Sequence, residues 1–572
     1  MGSKMRMAVS SSSRDEQHHQ HHQQQQQINT LKNDNNLSTI VNENNIRMTH
    51  QHHHHHRLGQ QNITNNIELN NKNLHDKNDK ESFENITLLT KFLTHFGFYI
   101  LMFLGFINHL LFKPKISNEK NREGYAPLYE NYETFYLNYV YRRIKDCWNQ
   151  PICSVPGANV TFKDRITRDN GWTFEFTGTE SQYINLGSYN YLGFAESSGS
   201  CANKSIEAIK KYGITSSSPR VELGSMAIHK ELELLTARYL QVEDAIVFGM
   251  GFATNSLNIP SIVHQGCLVI SDEKNHASTI LGLRLSGATI KKFKHNDMND
   301  LNKCLKYAIV NGQINNGKPW KKILIIVEGI YSMEGSIVNL PEIISLKKKY
   351  KAYVYLDEAH STGAMGKKGR GICNYYGIDP KEIDILMGTF TKSFGSSGGY
   401  IAGNKKLINY LRLSSHANVY AVSMSPPIAQ QIITSMKIIM GEDGTDDGSI
   451  RIQKLAINTK YFRRRLNQIG LVVYGNEDSP IVPMIVYHFS KITSVVRYLR
   501  NKNIATVGVG FPATEMMLGR IRFCISAAHT KQQLDYVLEN IEEMADLFGL
   551  RYSRKPRNKN TIKNYSYDNE TE

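Results

Sequence analysis

Six short apolar runs recur between positions 245 and 402: 245–248, 268–270, 323–327, 353–356, 385–387 and 400–402. Most are separated by helix-length or loop-rich segments such as 229–240 and 340–350, the latter with Pro341 suited to a first helical turn. Strands that are apolar on both faces and bounded by helical segments must be covered on both sides. The pattern therefore predicts an α/β fold with a mostly parallel sheet between helix layers, here a large domain over 201–426. Beyond it, long helical patterns and a shorter pair of apolar runs, 471–474 and 482–487, predict a smaller α+β domain over 427–550.

The flanking regions are of another kind. Residues 1–82 are rich in Asn, Gln and His, with tracts at 23–27 and 52–56. Such a segment buries too little apolar area to offset the entropy of ordering, so it is expected to be disordered. Eleven of the 21 histidines fall there and are set aside as site candidates; the His tract reads as low-complexity drift rather than a metal site. Residues 92–112 carry no formal charge and, at about 1.5 Å per residue, reach about 30 Å, enough for a transmembrane or interfacial helix. His95, Asn108 and His109 are costly facing lipid, and a buried soluble helix is the alternative. Residues 125–200 read as a connecting segment rich in aromatics at its start, and 551–572 as a basic, unstructured tail. Seven cysteines without a CxxC argue for a reducing compartment and against a disulfide scaffold or cysteine zinc site. No apolar run lies in 1–30, so no secretory signal is expected.

In a parallel sheet, functional groups collect beyond the carboxyl ends of the strands. Three such ends carry unusual chemistry. The first, 248–255, is a glycine-bearing turn that lacks the third glycine of a dinucleotide fingerprint, since Thr254 stands there, and no P-loop occurs in the chain. Such a turn can still hold one phosphate on backbone N–H groups. The second, 355–363, places Asp357 and His360 three residues apart after an apolar strand. The third, 385–395, carries Lys392 among Thr389, Phe390 and Phe394, where partial desolvation lowers an amine pKa and suits it to Schiff-base chemistry. An amine, a carboxylate to keep a pyridinium nitrogen protonated and a phosphate cup are what pyridoxal phosphate requires. His276, after another strand, is placed to act as an aromatic plate over its ring. No residue pattern suggests a metal.

At these residues the chain resembles the α-oxoamine synthase family of fold-type I pyridoxal phosphate enzymes, and within it the catalytic long-chain-base subunits 2 of serine palmitoyltransferases. The motifs are NLGSYNYLGFA from Asn185, GMGFATNS from Gly249, DEKNHAS from Asp272, VEGIYSMEG from Val327, YLDEAHSTGAMG from Tyr355, GTFTKSFG from Gly388, SMSPPIAQQ from Ser423 and RFCISAAHT from Arg522. The resemblance runs over about 125–553. It implies decarboxylative condensation of L-serine with palmitoyl-CoA to 3-ketosphinganine. Lys392 would carry the cofactor and shuttle the Cα proton, Asp357 would pair with the pyridinium nitrogen, His360 would contact the ring hydroxyl and His276 would stack on the ring. Gly251, Phe252 and Thr389 would hold the phosphate, Ser332 would lie near the ring hydroxyl, and Arg522 would clamp the substrate carboxylate. It further implies a serine palmitoyltransferase subunit 1 partner completing the site, and an endoplasmic reticulum membrane location facing the cytosol. Three places depart from the pattern: the serine run 216–218 before Pro219, Ala227 before Ile228 and His229, and Glu515 after Ala513 and Thr514 where proline is usual. Other α-oxoamine synthases use soluble or short acyl donors and have no need of an apolar helix, and a noncatalytic scaffold would lack the lysine. The formal charge of +16 lies over the catalytic body, at 318–322, 347–351, 463–465 and from Arg551. An anionic membrane face and the phosphates of CoA account for it better than nucleic acid.

Overall fold

The computed structural model describes residues 84, 87–111, 124–126, 131–139, 141–169, 171–313, 316–511 and 513–554. The disorder expected of 1–82 concerns residues outside that set, as does most of the basic tail. Arg551, Ser553 and Arg554 are inside it and are anchored. Ser553 N donates to Gly470 O at 3.2 Å, and Glu84 accepts from Ser553 Oγ at 2.7 Å and Arg554 N at 2.9 Å.

Helix α1 (Leu88–Leu111) covers the apolar segment. It is the one helix among the described residues long and apolar enough to cross a membrane. Its packing is one-sided. Thr94, Phe98 and Gly105 recur at helical spacing and dock on the domain: Thr94 Oγ1 lies 3.2 Å from His488 Nδ1, Phe98 meets Phe489 and Phe511 edge-on, and a side chain at Gly105 would press on Phe135 and Tyr139. The last two belong to α2 (Asn131–Tyr139). Phe92, Phe103, Phe106 and Leu110 remain exposed. His95 is off the docked strip, its Nδ1 3.0 Å from the Lys91 carbonyl one turn back.

Within 125–200 the chain also forms an antiparallel ribbon of β1 (Asn159–Ile166) and β2 (Glu175–Asn185). The large domain is built on β3 (Asp244–Phe248), β4 (Leu268–Asp272), β5 (Thr289–Phe293), β6 (Ile323–Glu328), β7 (Tyr353–Asp357), β8 (Ile385–Thr389) and β9 (Gly399–Gly403). Their spatial order is β3-β9-β8-β7-β6-β4-β5, all parallel except β9, which runs against both neighbours. Alternate residues feed different cores: Ile325, Val327, Val354 and Leu356 pack on one face, while Leu324, Ile326 and Tyr355 pack on the other. That two-sided burial is the physical meaning of the uninterrupted apolar runs.

The small domain carries β10 (Ile481–Tyr487), β12 (Val507–Val509) and β13 (Gly519–Cys524) in the order β10-β13-β12, while β11 (Ile504–Ala505) joins β2. Its last helix, Lys531–Leu547, starts at a Thr530/Gln533 capping box and buries Leu534, Val537, Leu538, Ile541 and Met544 in one stripe. The run 471–474 does not form the expected strand. Val473 alone is bridged, to Met484, with Tyr474 N donating to Pro483 O at 3.0 Å and Ile485 N to Val472 O at 2.9 Å, and the chain turns away at Gly470 and Gly475, both at positive φ.

Candidate active site

Parallel register puts Glu328 of β6 directly beside Asp357 of β7, two carboxylates at neighbouring strand ends. Asp357 is buried, its Oδ2 accepting from Asn255 Nδ2 at 2.7 Å and its Oδ1 from Ala359 N at 2.9 Å. Asn255 is itself fixed by Tyr355, whose hydroxyl donates to Asn255 Oδ1 at 2.7 Å, and it also donates to Ser278 Oγ at 3.0 Å. Glu358 points away from this pair. It accepts from Ser361 and from Ile372 N, bracing the following loop, and burial raises its pKa to about 7.

Lys392 leaves β8 on a short turn closed by Phe390 N to Gly398 O at 2.9 Å and Gly395 N to Lys392 O at 3.2 Å. Gly395 has φ +59, and a Cβ there would come within 2.5 Å of Ala195 N, so this turn packs against the 185–195 segment. That contact brings Tyr189 to the lysine, with Nζ 5.7 Å from the ring centre. Burial lowers the Lys392 pKa to about 8, against the opposing pull of Asp357 and Glu328.

His276 caps the helix Ala277–Ser286: its Nδ1 accepts from Ser278 N at 3.2 Å and lies 2.8 Å from Ser278 Oγ. The neutral ring proton therefore sits on Nε2. The residue is exposed yet partly desolvated, which lowers its pKa. His360 is buried with Nδ1 2.8 Å from the Tyr191 hydroxyl; burial, then Lys392 and Arg522, hold its pKa well below 6.5. Arg522, buried on β13, stacks over Tyr189 at 4.7 Å. Its Nη1 reaches the Ser332 carbonyl at 3.5 Å, and its buried Nε has no nitrogen or oxygen acceptor among the described residues.

Gly251 opens the helix Gly251–Ser256, whose first N–H groups have no acceptor within the helix. A Cβ at Gly251 would stand 3.1 Å from Thr389 Cγ2 and 3.3 Å from Gly398 O, so a side chain there would crowd that threonine. Phe252 meets His276 edge-on at 6.0 Å. Lys392, Asp357, His276, His360 and Arg522 thus converge, with Gly251 and Thr389 in contact beside them; Ser332 joins through its carbonyl. Glu328, Asn255, Tyr189 and Tyr191 belong to the same group; they lie inside the sequence motifs, but nothing in local spacing assigned them a role. Glu328 accepts the His276 N–H, and burial together with Asp357 pushes its pKa well above the usual carboxylate range.

The departures are absorbed locally. Ser216 Oγ lies 2.7 Å from Ser423 Oγ. Ala227 begins a helix capped by His229, whose Nδ1 accepts from Met226 N at 3.1 Å. Glu515 forms an ion pair with Lys274 at 2.9 Å.

A half-buried amine of lowered pKa, a fixed carboxylate, a glycine-bearing turn and a guanidinium with a buried free donor are the donor set that pyridoxal phosphate and an amino-acid carboxylate require, so these residues fit that cofactor. Residues 181–541 match the model of the family Aminotransferase class I and II. Among curated relatives, human "Serine palmitoyltransferase 3" is 52% identical over 487 residues, covering 84% of this chain and 88% of its own length. Caenorhabditis elegans "Serine palmitoyltransferase 2" is 50% identical, covering 84% and 86%. The chain belongs to the serine palmitoyltransferase family within the aminotransferase class I and II enzymes. A solved structure of SPT with PLP superposes with a TM-score of 0.64 at 26% identity, covering 74% of this chain and all of that one. Sphingomonas wittichii serine palmitoyltransferase gives 0.59 at 27%, covering 65% and 89%.

Proposed function

We propose that this chain is a pyridoxal phosphate-dependent catalytic subunit that condenses L-serine with palmitoyl-CoA, forming 3-ketosphinganine and releasing CoA and CO2. The observation that carries the reading is Lys392, half-buried beside Tyr189 and Arg522, where desolvation brings its pKa to about 8. Bound here, the cofactor supplies an electron sink for negative charge developing at the serine Cα. Asp357, locked by Asn255 and Ala359, keeps a positive ring nitrogen favourable. Gly251, Phe252 and Thr389 would hold the phosphate, His276 would lie against the ring, and His360 and Ser332 would serve its hydroxyl. Lys392 Nζ, neutral in part at neutral pH, takes the Cα proton and later returns one. Arg522 orients the serine carboxylate, its unmatched Nε offering a donor that a bound anion satisfies.

The exposed apolar side of α1 supports membrane association, which suits an acyl donor and a product that both partition into lipid. We place the chain at the endoplasmic reticulum membrane, catalytic domain toward the cytosol, and paired with a subunit 1 that completes the site. Lys392→Ala is expected to lose the visible cofactor band and all condensation while keeping partner assembly. Continued 3-ketosphinganine synthesis by that variant sinks the reading. Spectra of the purified complex with L-serine, against glycine and alanine, test the amino-acid choice.

A further inference from the structure

Beside α1 the domain opens into a cavity of about 740 Å³ that the reaction above does not use. Asn108, near the end of α1, lines it together with four arginines: Arg142, Arg165, Arg497 and Arg500. One carboxylate opposes them. Asp146 accepts from Arg497 Nε at 2.9 Å and Nη2 at 2.8 Å, and from Arg500 Nη2 at 3.2 Å. Four cationic side chains against one anionic leave the lining with a net of three positive charges.

Arg165 is the informative member. Its Nη2 donates to Trp148 O at 2.6 Å and its guanidinium lies 4.4 Å over Phe174, but its buried Nε has no hydrogen-bond partner among the described residues. Burial and the like charge of Arg500 hold its pKa below the ordinary arginine value, so the cluster repels itself and gains from a bound anion. Arg142 is set 4.4 Å over Trp172 in the same way. Planar guanidinium forks match phosphate oxygens in pairs.

We infer that this cavity is a site for the phosphate headgroup of an anionic membrane lipid. Its position selects a lipid over a soluble phosphate: the cavity adjoins the end of α1, where Leu104 and Leu111, on the same side of the helix as Asn108, are exposed, and two of its cations stand on aromatic rings. Aromatic rings and arginines next to an apolar helix are the composition of a membrane–water interface.

The test is flotation of the full chain with its partner subunit on vesicles of phosphatidylcholine alone or doped with phosphatidic acid. Arg165→Gln and Arg500→Gln should each weaken binding to the anionic vesicles about fivefold, an effect erased by high salt, and leave binding to neutral vesicles unchanged. Lys210→Gln, which removes an exposed charge on the helix Ser200–Tyr212, should change neither. The visible cofactor band and the melting temperature report that each variant is folded. Variants that bind anionic vesicles as well as the parent, or that lose neutral vesicles equally, overturn the assignment. An Arg165-dependent rise in melting temperature with inorganic phosphate or CoA, without a vesicle effect, gives the cavity to a soluble phosphate and overturns it too.

Discussion

The floor of the crevice and its rim are built on opposite principles. On the floor, Glu328 and Asp357 end adjacent strands of a sheet buried on both faces, and Asp357 is held by two donors with no room to turn. At the rim, Lys274 and Glu515 meet across two loops in an ion pair whose glutamate is 66% exposed. A charge fixed in a desolvated floor acts at nearly full strength on the reacting atoms, whereas an exposed pair is screened and can part. Chemistry is thus fastened to the sheet, and access is left to the loops.

Asp357→Asn should break that contrast most strongly. It keeps the shape but removes the charge and one of the two accepting oxygens, and condensation should fall about 10²–10³-fold with the fold intact by melting temperature. A loss no larger than a rim variant's would show that the floor is not electrostatically special. Glu328 gives a sharper test. Its pKa, raised by burial and by Asp357, shifts it toward the neutral acid, whose Oε1 accepts the His276 N–H. Glu328→Gln retains that acceptor and should stay within about twofold of the parent, while Glu328→Ala leaves a donor unpaired and should cost about 1–3 kcal/mol. Equal damage from both would show that the charge, not the hydrogen bond, matters.

The lysine adds a pH signature. With its pKa near 8 instead of 10.5, Lys392 is mostly protonated at pH 7 and neutral above about pH 8. Uptake of pyridoxal phosphate by cofactor-stripped protein, followed in the visible, should rise about tenfold per pH unit below 8 and level off above it. A rate still climbing toward pH 10 would place the amine in water instead.

Much of the floor could be read in the amino-acid sequence, because burial on two faces leaves β4, β6, β7 and β8 as continuous apolar runs ending in polar residues. Elements with a wet face left weaker marks. β5 alternates exposed and covered residues and carries Lys291 and Lys292, and the outer half of β2 is exposed on both sides. The reversed direction of β9 has no sequence signal, since apolar runs do not encode polarity. Lys392, Asp357 and His276 stood out because each follows a run within a distinctive motif. Glu328 did not, because its importance arises from lying opposite Asp357 in register. Arg165 belongs to a ribbon joined to Arg497 and Arg500 only by folding, so no local spacing announces the basic cavity.

The rim pair should give the smallest effect. Lys274 is two residues from His276, and Glu515 lies in the loop between Phe511 and β13, the strand that carries Arg522. The pair therefore ties the turn that bears His276 to the loop leading into the strand of Arg522. Its exposure limits it to about 0–1 kcal/mol, at most about fivefold, and salt should diminish it. Glu515→Gln should thus change the KM for palmitoyl-CoA or L-serine by less than fivefold at low salt and not at all at high salt, with kcat nearly constant. Restoring the pair in reverse, Lys274→Glu with Glu515→Lys, should recover the parent value. A large kcat loss in the single variant, unrelieved by the reversal, would move Glu515 from the screened rim to the chemistry itself.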